Sequence, residues 1–404
     1  MAAAIALALV SAACSTDDLK TAAPTVAAAP TDAPIDAPTD AAPATPGSPS
    51  TTESPTGAPV ESPGSTAEPA FNVYATTLDG SIDPRWASMP ELVYVPDEHA
   101  GKVVVIDPAT FKIVRTFKVG SYPEHITPGW DGSALYVNNM SSDSLTVIDP
   151  NTGQPTGQTI SVPNPYNLYF TPDGTRALIV EDMLRGAPAN PNGLAVFDRT
   201  TWAKLGTVPV PYAGADHLDF SADGKTVFLS CEFTGQIVAI DIDAMKIIRN
   251  YHVGGSPTDV RLSPDGTVVF IANQETDGID VIDTATLEHI DFIKAGHGAH
   301  GLAMSRDTTK MFITNRLEGT ISVMDLATRK ITKTWDVGGS PDMITMNPSG
   351  TQLWISNRYN GTISVVDSSN GDVLHVILTG LFPHGLSYWP QPGVYSLGHN
   401  GNMR

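Results

Sequence analysis

Seven stretches of the chain share one pattern, a β-branched run closed by aspartate: VVVIDPAT (103–110), LTVIDPNT (145–152), LAVFDRTT (194–201), IVAIDIDA (237–244), IDVIDTAT (279–286), ISVMDLAT (321–328) and ISVVDSSN (363–370). The aspartates stand at 107, 149, 198, 241, 283, 325 and 367, spaced by 42, 49, 43, 42, 42 and 42 residues. A unit repeated in this way buries its apolar face against its neighbours, in a stacked or closed array. Each unit reads as four short strands. In the fourth complete copy these are TDVRLS from Thr258, then TVVFIAN after the turn Pro264-Asp265-Gly266, then IDVID and HIDFIK. Alternating runs joined by such turns form an antiparallel meander. Four-stranded sheets at this period predict β-propeller blades, in which radial closure leaves only short edges.

The ends of the repeat set the blade count. It opens in strand b, ELVYVP (91–96), and finishes on a lone strand a, HGLSYW (384–389). An open solenoid needs no such offset, whereas the two ends can complete one blade together. The fold class predicted is therefore all-β: a seven-bladed β-propeller of four-stranded antiparallel blades, its closing blade shared by N- and C-terminal strands. Length alone would suggest two or three domains for 404 residues. The repeat gathers residues 71–404 into one.

Ahead of the ring lie an address and a tether. Residues 2–13, AAAIALALVSAA, form a short apolar run ending in small residues just before Cys14. This is a secretory signal with a lipobox-like end, which makes Cys14 the expected lipidation site. The alternative is an ordinary signal peptide and a secreted protein. Residues 15–70 are rich in Ala, Pro and Thr, and from Thr21 to Ala70 there is no aromatic residue, Lys or Arg. Such a segment buries too little apolar surface to offset its ordering entropy and is expected to be a disordered stalk. The expected location is extracytoplasmic, lipid-anchored to the bacterial cell membrane, with the membrane touched only through that anchor. Two cysteines cannot make a disulfide framework, and a formal charge of −20 argues against nucleic acid as a partner.

The b strands LYVNN (135–139), VFIAN (269–273), MFITN (311–315) and LWISN (353–357), each followed by a G-x-[IL]-x-V-[IM]-D type strand, resemble the YVTN β-propeller family over about residues 91–390. The resemblance implies the seven-bladed fold. Relatives include lactonases, haem-binding nitrite reductase-like propellers, surface antigens and ligand-free scaffolds, so it leaves function open.

In a propeller the d–a and b–c connections share one face. The pairs opening strand a are Glu124/His125, Tyr166/Asn167, Asp216/His217, Thr258/Asp259, His300/Gly301, Asp342/Met343 and His384/Gly385. Four of the ten histidines fall there, where chance places about 0.35. Imidazole and carboxylate converging on an axis suit a metal, so His125, His217, His300 and His384 are candidate ligands of a transition-metal cofactor. The competing reading is that these polar groups bind water and cap neighbouring backbone.

Arg316 and Arg358, on adjacent b–c loops, suit an anionic ligand group. With Glu124, Asn167, Asp216, Asp259 and Asp342 they make a candidate ligand-binding set, opposed by Glu181, Asp182 and Glu232 across the face. Asn139, Asn273, Asn315 and Asn357 read as turn residues. Cys231 stands in the same register as a small buried hydrophobe. The 49-residue interval lengthens one b–c loop near 183–193, a segment that could cover a ligand. The segment 394–404, with His399 and Arg404, lies outside the repeat, which assigns it no position.

No C-x-x-C-H, G-x-S-x-G, H-E-x-x-H or phosphate-binding glycine loop occurs, and no catalytic residue is assigned. The leading expectation is a monomeric, non-enzymatic propeller binding a small molecule or protein on its loop face. The alternatives are a metal-dependent hydrolase or oxidoreductase using the channel, and a haem carrier with His300 or His384 as axial ligand.

Overall fold

The structure is a computed structural model that describes residues 71–181, 193–399 and 401–404. Cys14, the leader and tether, Asp182 and all but the last residue of the 183–193 segment lie outside these. Seven four-stranded antiparallel sheets make up the ring, and the closing one joins Ser387–Trp389 to Leu92–Asp97, Lys102–Asp107 and Lys112–Lys118. The innermost strands of the other six blades are Pro123–Pro128, Pro165–Phe170, Ala215–Phe220, Pro257–Leu262, Ala299–Met304 and Pro341–Met346. Each innermost strand packs on the next and the last returns to the first. The predicted seven-bladed propeller is the fold found.

Alternation explains where the core sits. Successive side chains of a strand point to opposite faces, and here both faces of the middle strands meet another blade. Val103 and Val105 of the closing blade pack on Leu135 and Val137 of blade one, while Val104 and Ile106 pack on Trp354 and Val365 of blade six. The core is thus seven apolar wedges between blades, leaving the axis to polar residues.

The repeated aspartates are turn devices. Asp283 Oδ1 accepts from the backbone N–H groups of Ala285 and Thr286 at 3.0 and 2.7 Å, the side chain standing in for a backbone turn. At the other turn Ser263 Oγ donates to Asp265 at 2.6 Å, and Gly266 supplies the φ of +72° the turn requires. Other polar residues tie blade to blade. Asp219 Oδ2 accepts from Leu262 N and Asp259 Oδ2 from Leu302 N, both at 2.8 Å.

The segment that the repeat could not place forms a hairpin across the channel, on the side of the a–b turns. Arg404 N donates to Tyr395 O and Leu397 N to Asn402 O. Phe170 N donates to Leu397 O, and Ser396 N to Trp130 O, tying the hairpin to blades two and one. Asn402 and Arg404 reach Asp219 at 3.2 and 3.1 Å, and Leu397 enters the core around Tyr169 and Leu218. The hairpin carries His399 into the axis from below.

Candidate functional site

The positions that open strand a are aimed by a shared irregularity. Pairing with strand b shifts register between Pro123 and Ile126, Ala215 and Leu218, Pro257 and Val260, Ala299 and Leu302, and Pro341 and Ile344. Each bulge frees two residues from the ladder, and bulges re-aim side chains in this way. The freed residues include Glu124/His125, Asp216/His217, Thr258/Asp259, His300/Gly301 and Asp342/Met343. Beside them Gly385, on the closing strand, lies against the ring of His125, and a methyl group there would run into it.

His125, His217 and His399 converge. Ring centroids lie 5.1 Å apart for His125–His217, 4.8 Å for His125–His399 and 4.5 Å for His217–His399. One nitrogen from each ring falls within 4.8 Å of the others, and all three residues are buried. Tetrahedral coordination at about 2.1 Å would bring such nitrogens to roughly 3.4 Å, a change that ring rotation can supply. Both nitrogens of His125, both of His217 and Nε2 of His399 have no hydrogen-bond partner among the described residues. His217 Nδ1 does lie 2.8 Å from Asp216 Oδ1, at ion-pair distance but poorly directed. His399 Nδ1 is oriented by Tyr169 Oη at 3.0 Å and Asn167 Nδ2 at 3.3 Å, and its Nε2 faces Asp259 at 3.7 Å.

Burial, reinforced by neighbouring cationic groups, holds His125 and His399 well below the ordinary imidazole range. Both are therefore neutral, as a metal ligand must be. Burial works against the imidazolium of His217, but the Asp216 carboxylate at close range, together with Asp259 and Glu232, keeps that ring above its ordinary value.

The other two candidate histidines lie elsewhere in the channel. His384 is 4.6 Å from His125, ring to ring, but its Nδ1 meets Glu124 Oε2 at 2.7 Å and Glu98 Oε1 at 3.5 Å. Glu98, Glu124 and His384 form a second buried group of potential ligands. His300 is turned toward Asp342 and Arg316. Arg316 Nε donates to Asp342 at 2.6 Å and Nη1 to Gln274 at 2.8 Å, while Arg358 pairs with Glu98 at 2.7 Å. Both arginines of the candidate ligand set are thus already matched with a buried carboxylate. Asp259 gives one oxygen to the Leu302 staple, and Asn167 serves to orient His399.

Glu232 is set apart by its chemistry. Burial and the Asp216 carboxylate push its acid up to about 7, so near neutral pH it can hold or release a proton. Cys231 is buried. Asn273 and Asn315 accept from Ser256 N and Gly296 N, so they tie the end of strand b to the d–a connection ahead of it rather than closing a local turn.

Sequence reasoning missed Glu98 and His399. Glu98 was within reach, because in the closing blade Asp97-Glu98 holds the register of Asn315-Arg316 and Asn357-Arg358. His399 gave no signal, since it belongs to no repeat.

Comparison with known proteins agrees with the architecture. A family model described as a YNCE-like beta-propeller matches residues 80–187 and 257–391. No curated protein sequence matches. Among solved structures, the periplasmic gluconolactonase of Pseudomonas aeruginosa is 17% identical, with a TM-score of 0.62 over 75% of this chain and 99% of its own. Hydrazine synthase of Kuenenia stuttgartiensis is 19% identical, with a TM-score of 0.59 over 68% of this chain and 92% of its own. A dihydro-haem d1 dehydrogenase, solved in complex with DHE, is 16% identical at a TM-score of 0.55, over 80% and 82%. At these identities the three structures speak for the fold alone. The family model spans more than half of the sequence, and the chain belongs to the YNCE-like β-propeller family.

Proposed function

We propose that this protein is an extracytoplasmic, membrane-anchored propeller whose channel binds a transition-metal ion through His125, His217 and His399. The observation that carries this reading is the convergence of three buried imidazoles, each with at least one nitrogen that has no hydrogen-bond partner among the described residues. Leaving a buried polar group unsatisfied costs about 1–3 kcal/mol, and here several such groups point at one another. An all-nitrogen set suits zinc or copper, and three protein ligands leave a coordination position for a further molecule. Asp216, Tyr169 and Asn167 hold the rings from behind, as partners of metal-bound histidine commonly do. The anchored location rests on the apolar run ahead of Cys14 and on the tether after it.

The carrier reading with a haem is less well supported. The Nε2 atoms of its two axial candidates, His300 and His384, face Arg316 and Asp342 rather than open space.

The test is metal titration of the purified full chain by calorimetry. Zinc should bind tightly to the wild type, and replacing His217 and His399 together by Ala should remove that event while the circular dichroism spectrum is kept. An unchanged binding isotherm would overturn the assignment.

Glu232 favours a second, catalytic reading, hydrolysis of a small ester or lactone. A bound metal would supply Lewis-acid polarisation of a carbonyl. Glu232 would exchange a proton with the attacking water or leaving oxygen, and its value near 7 suits that task. A lactone assay in which Glu232→Gln loses at least about tenfold in rate would support this. No turnover by the zinc-loaded wild type would leave the protein a metal binder.

A further inference from the structure

Among the described residues the imidazole cluster is one of two potential ligand groups, and the other is chemically different. Glu98, Glu124 and His384 bring one potential ligand atom each to within 4.8 Å of one another, and all three are buried. They come from a b–c loop, the bulge of blade one and the start of the closing strand, so no local turn requires their meeting. The group is incomplete as it stands: Glu98 Oε2 has no hydrogen-bond partner among the described residues, in a side chain that is almost wholly inaccessible. His384 Nε2, on the side of the ring away from the two carboxylates, has none either. Facing His384 Nε2 at 3.5 Å is Asp342 Oδ2, which is equally without a hydrogen-bond partner there.

We infer that Glu98, Glu124 and His384 form a second cation position adjoining the first, so that the channel is a two-metal centre with His125 packed between its halves. The identity of the first ion rests on the reading above, but this second position stands on its own residues. Its two carboxylates and one imidazole are a harder donor set than three imidazoles, one that accepts Mn2+ or Fe2+ as well as zinc. The guanidinium of Arg358 now faces Glu98 from a partly exposed loop position. Entry of a divalent ion would move that guanidinium outward and free both Glu98 oxygens. Asp342 would hold the orphaned side of His384 and so orient its ring.

The experiment loads metal-free full-length protein with excess Zn2+, which outcompetes Mn2+ at nitrogen and oxygen sites, and counts it by mass spectrometry after desalting. The wild type should retain about two ions per chain. Glu98→Gln with Glu124→Gln should retain one, and so should His384→Gln if the double variant fails to fold. His217→Ala with His399→Ala should also retain one. A count unchanged by the glutamine changes but lowered by the imidazole changes would sink the second position and leave the imidazole site standing. An ion lost with the glutamates but none lost with the imidazoles would sink the first and keep the second. No zinc retained, or none lost in any variant, would overturn both.

Discussion

Two sides of one channel are built from the same repeat positions and are held in different ways. Toward blades five and six and the closing blade, the axis is lined by charge: Asp342 with Arg316, Glu98 with Arg358, and His384 against Glu124. Toward blades one and three, it is lined by His125 and His217, with His399 rising between them and ring nitrogens left without partners. Charges that are matched keep one another buried. Imidazoles that are not matched ask for something else. The first side is held together by its own charges even where it leaves a cation position, whereas the second depends on being completed.

Removing one member of each side should separate them most strongly. Arg316→Met leaves Asp342 a buried carboxylate without its main counter-charge, which should cost about 3–5 kcal/mol of unfolding free energy. His399→Ala in metal-free protein removes an imidazole whose Nε2 lacks a partner but whose Nδ1 is held by Tyr169 and Asn167, and its cost should be about 1–2 kcal/mol. Urea denaturation of both variants in chelator checks this. Equal losses would abolish the distinction between the two sides.

Gly385→Ala acts on their boundary. A methyl group at this position would collide with the His125 ring, and overpacking of this kind costs about 1–3 kcal/mol. Because His125 must move, zinc affinity should fall as well, by more than the stability loss alone explains. A stable Gly385→Ala protein with wild-type zinc binding would show that His125 is not a ligand.

The pattern of residues foretold this architecture well, because blade closure is a counting problem. The 42-residue period and the strand-b start fix seven blades, and the turn aspartates follow from turn chemistry. The site was legible only as far as the repeat reached. Strand-a positions drew attention to His125 and His217, and the match of Asp97-Glu98 to the Asn-Arg pairs was available in principle. Which histidines meet is decided by side-chain direction at the bulges, and that depends on packing across blades remote in sequence. His300 turns to Arg316, while His217 turns to a histidine from a segment without repeat character. No periodicity could have announced that last contact.

Acid should expose the difference next. The folded channel holds His399 well below the ordinary imidazole value, chiefly because burial disfavours its charged form. Between the ordinary value near 6.5 and the lowered one, the unfolded chain binds a proton at this residue that the folded chain refuses. Protons bound by the unfolded state then exceed those bound by the folded state, so stability falls as pH drops below about 6.5. Wild type should therefore lose stability relative to His399→Ala on going from pH 7.5 to 5.5 without metal, by at most about 1.4 kcal/mol per pH unit. His217 carries the opposite sign, since its value is raised. Its contribution is present at low pH and fades as pH rises through that value. A constant gap between wild type and His399→Ala would mean that the imidazole is not held neutral.

The smallest effect belongs to a residue that every unit repeats. Asp283 closes a c–d turn on the face away from the b–c loops, accepting from Ala285 N, Thr286 N and Thr286 Oγ1. Its replacement by Ala removes these bonds at an exposed turn where water can replace them, so the cost should be about 1 kcal/mol. Metal binding should be unchanged, because no part of the turn reaches the axis. The same substitution at Asp342, a carboxylate of the channel, should cost several times more and disturb His384 and Arg316 together. If Asp283→Ala altered metal stoichiometry, the turn face and the channel would have to be coupled through the blade, and the two could no longer be treated as separate structures.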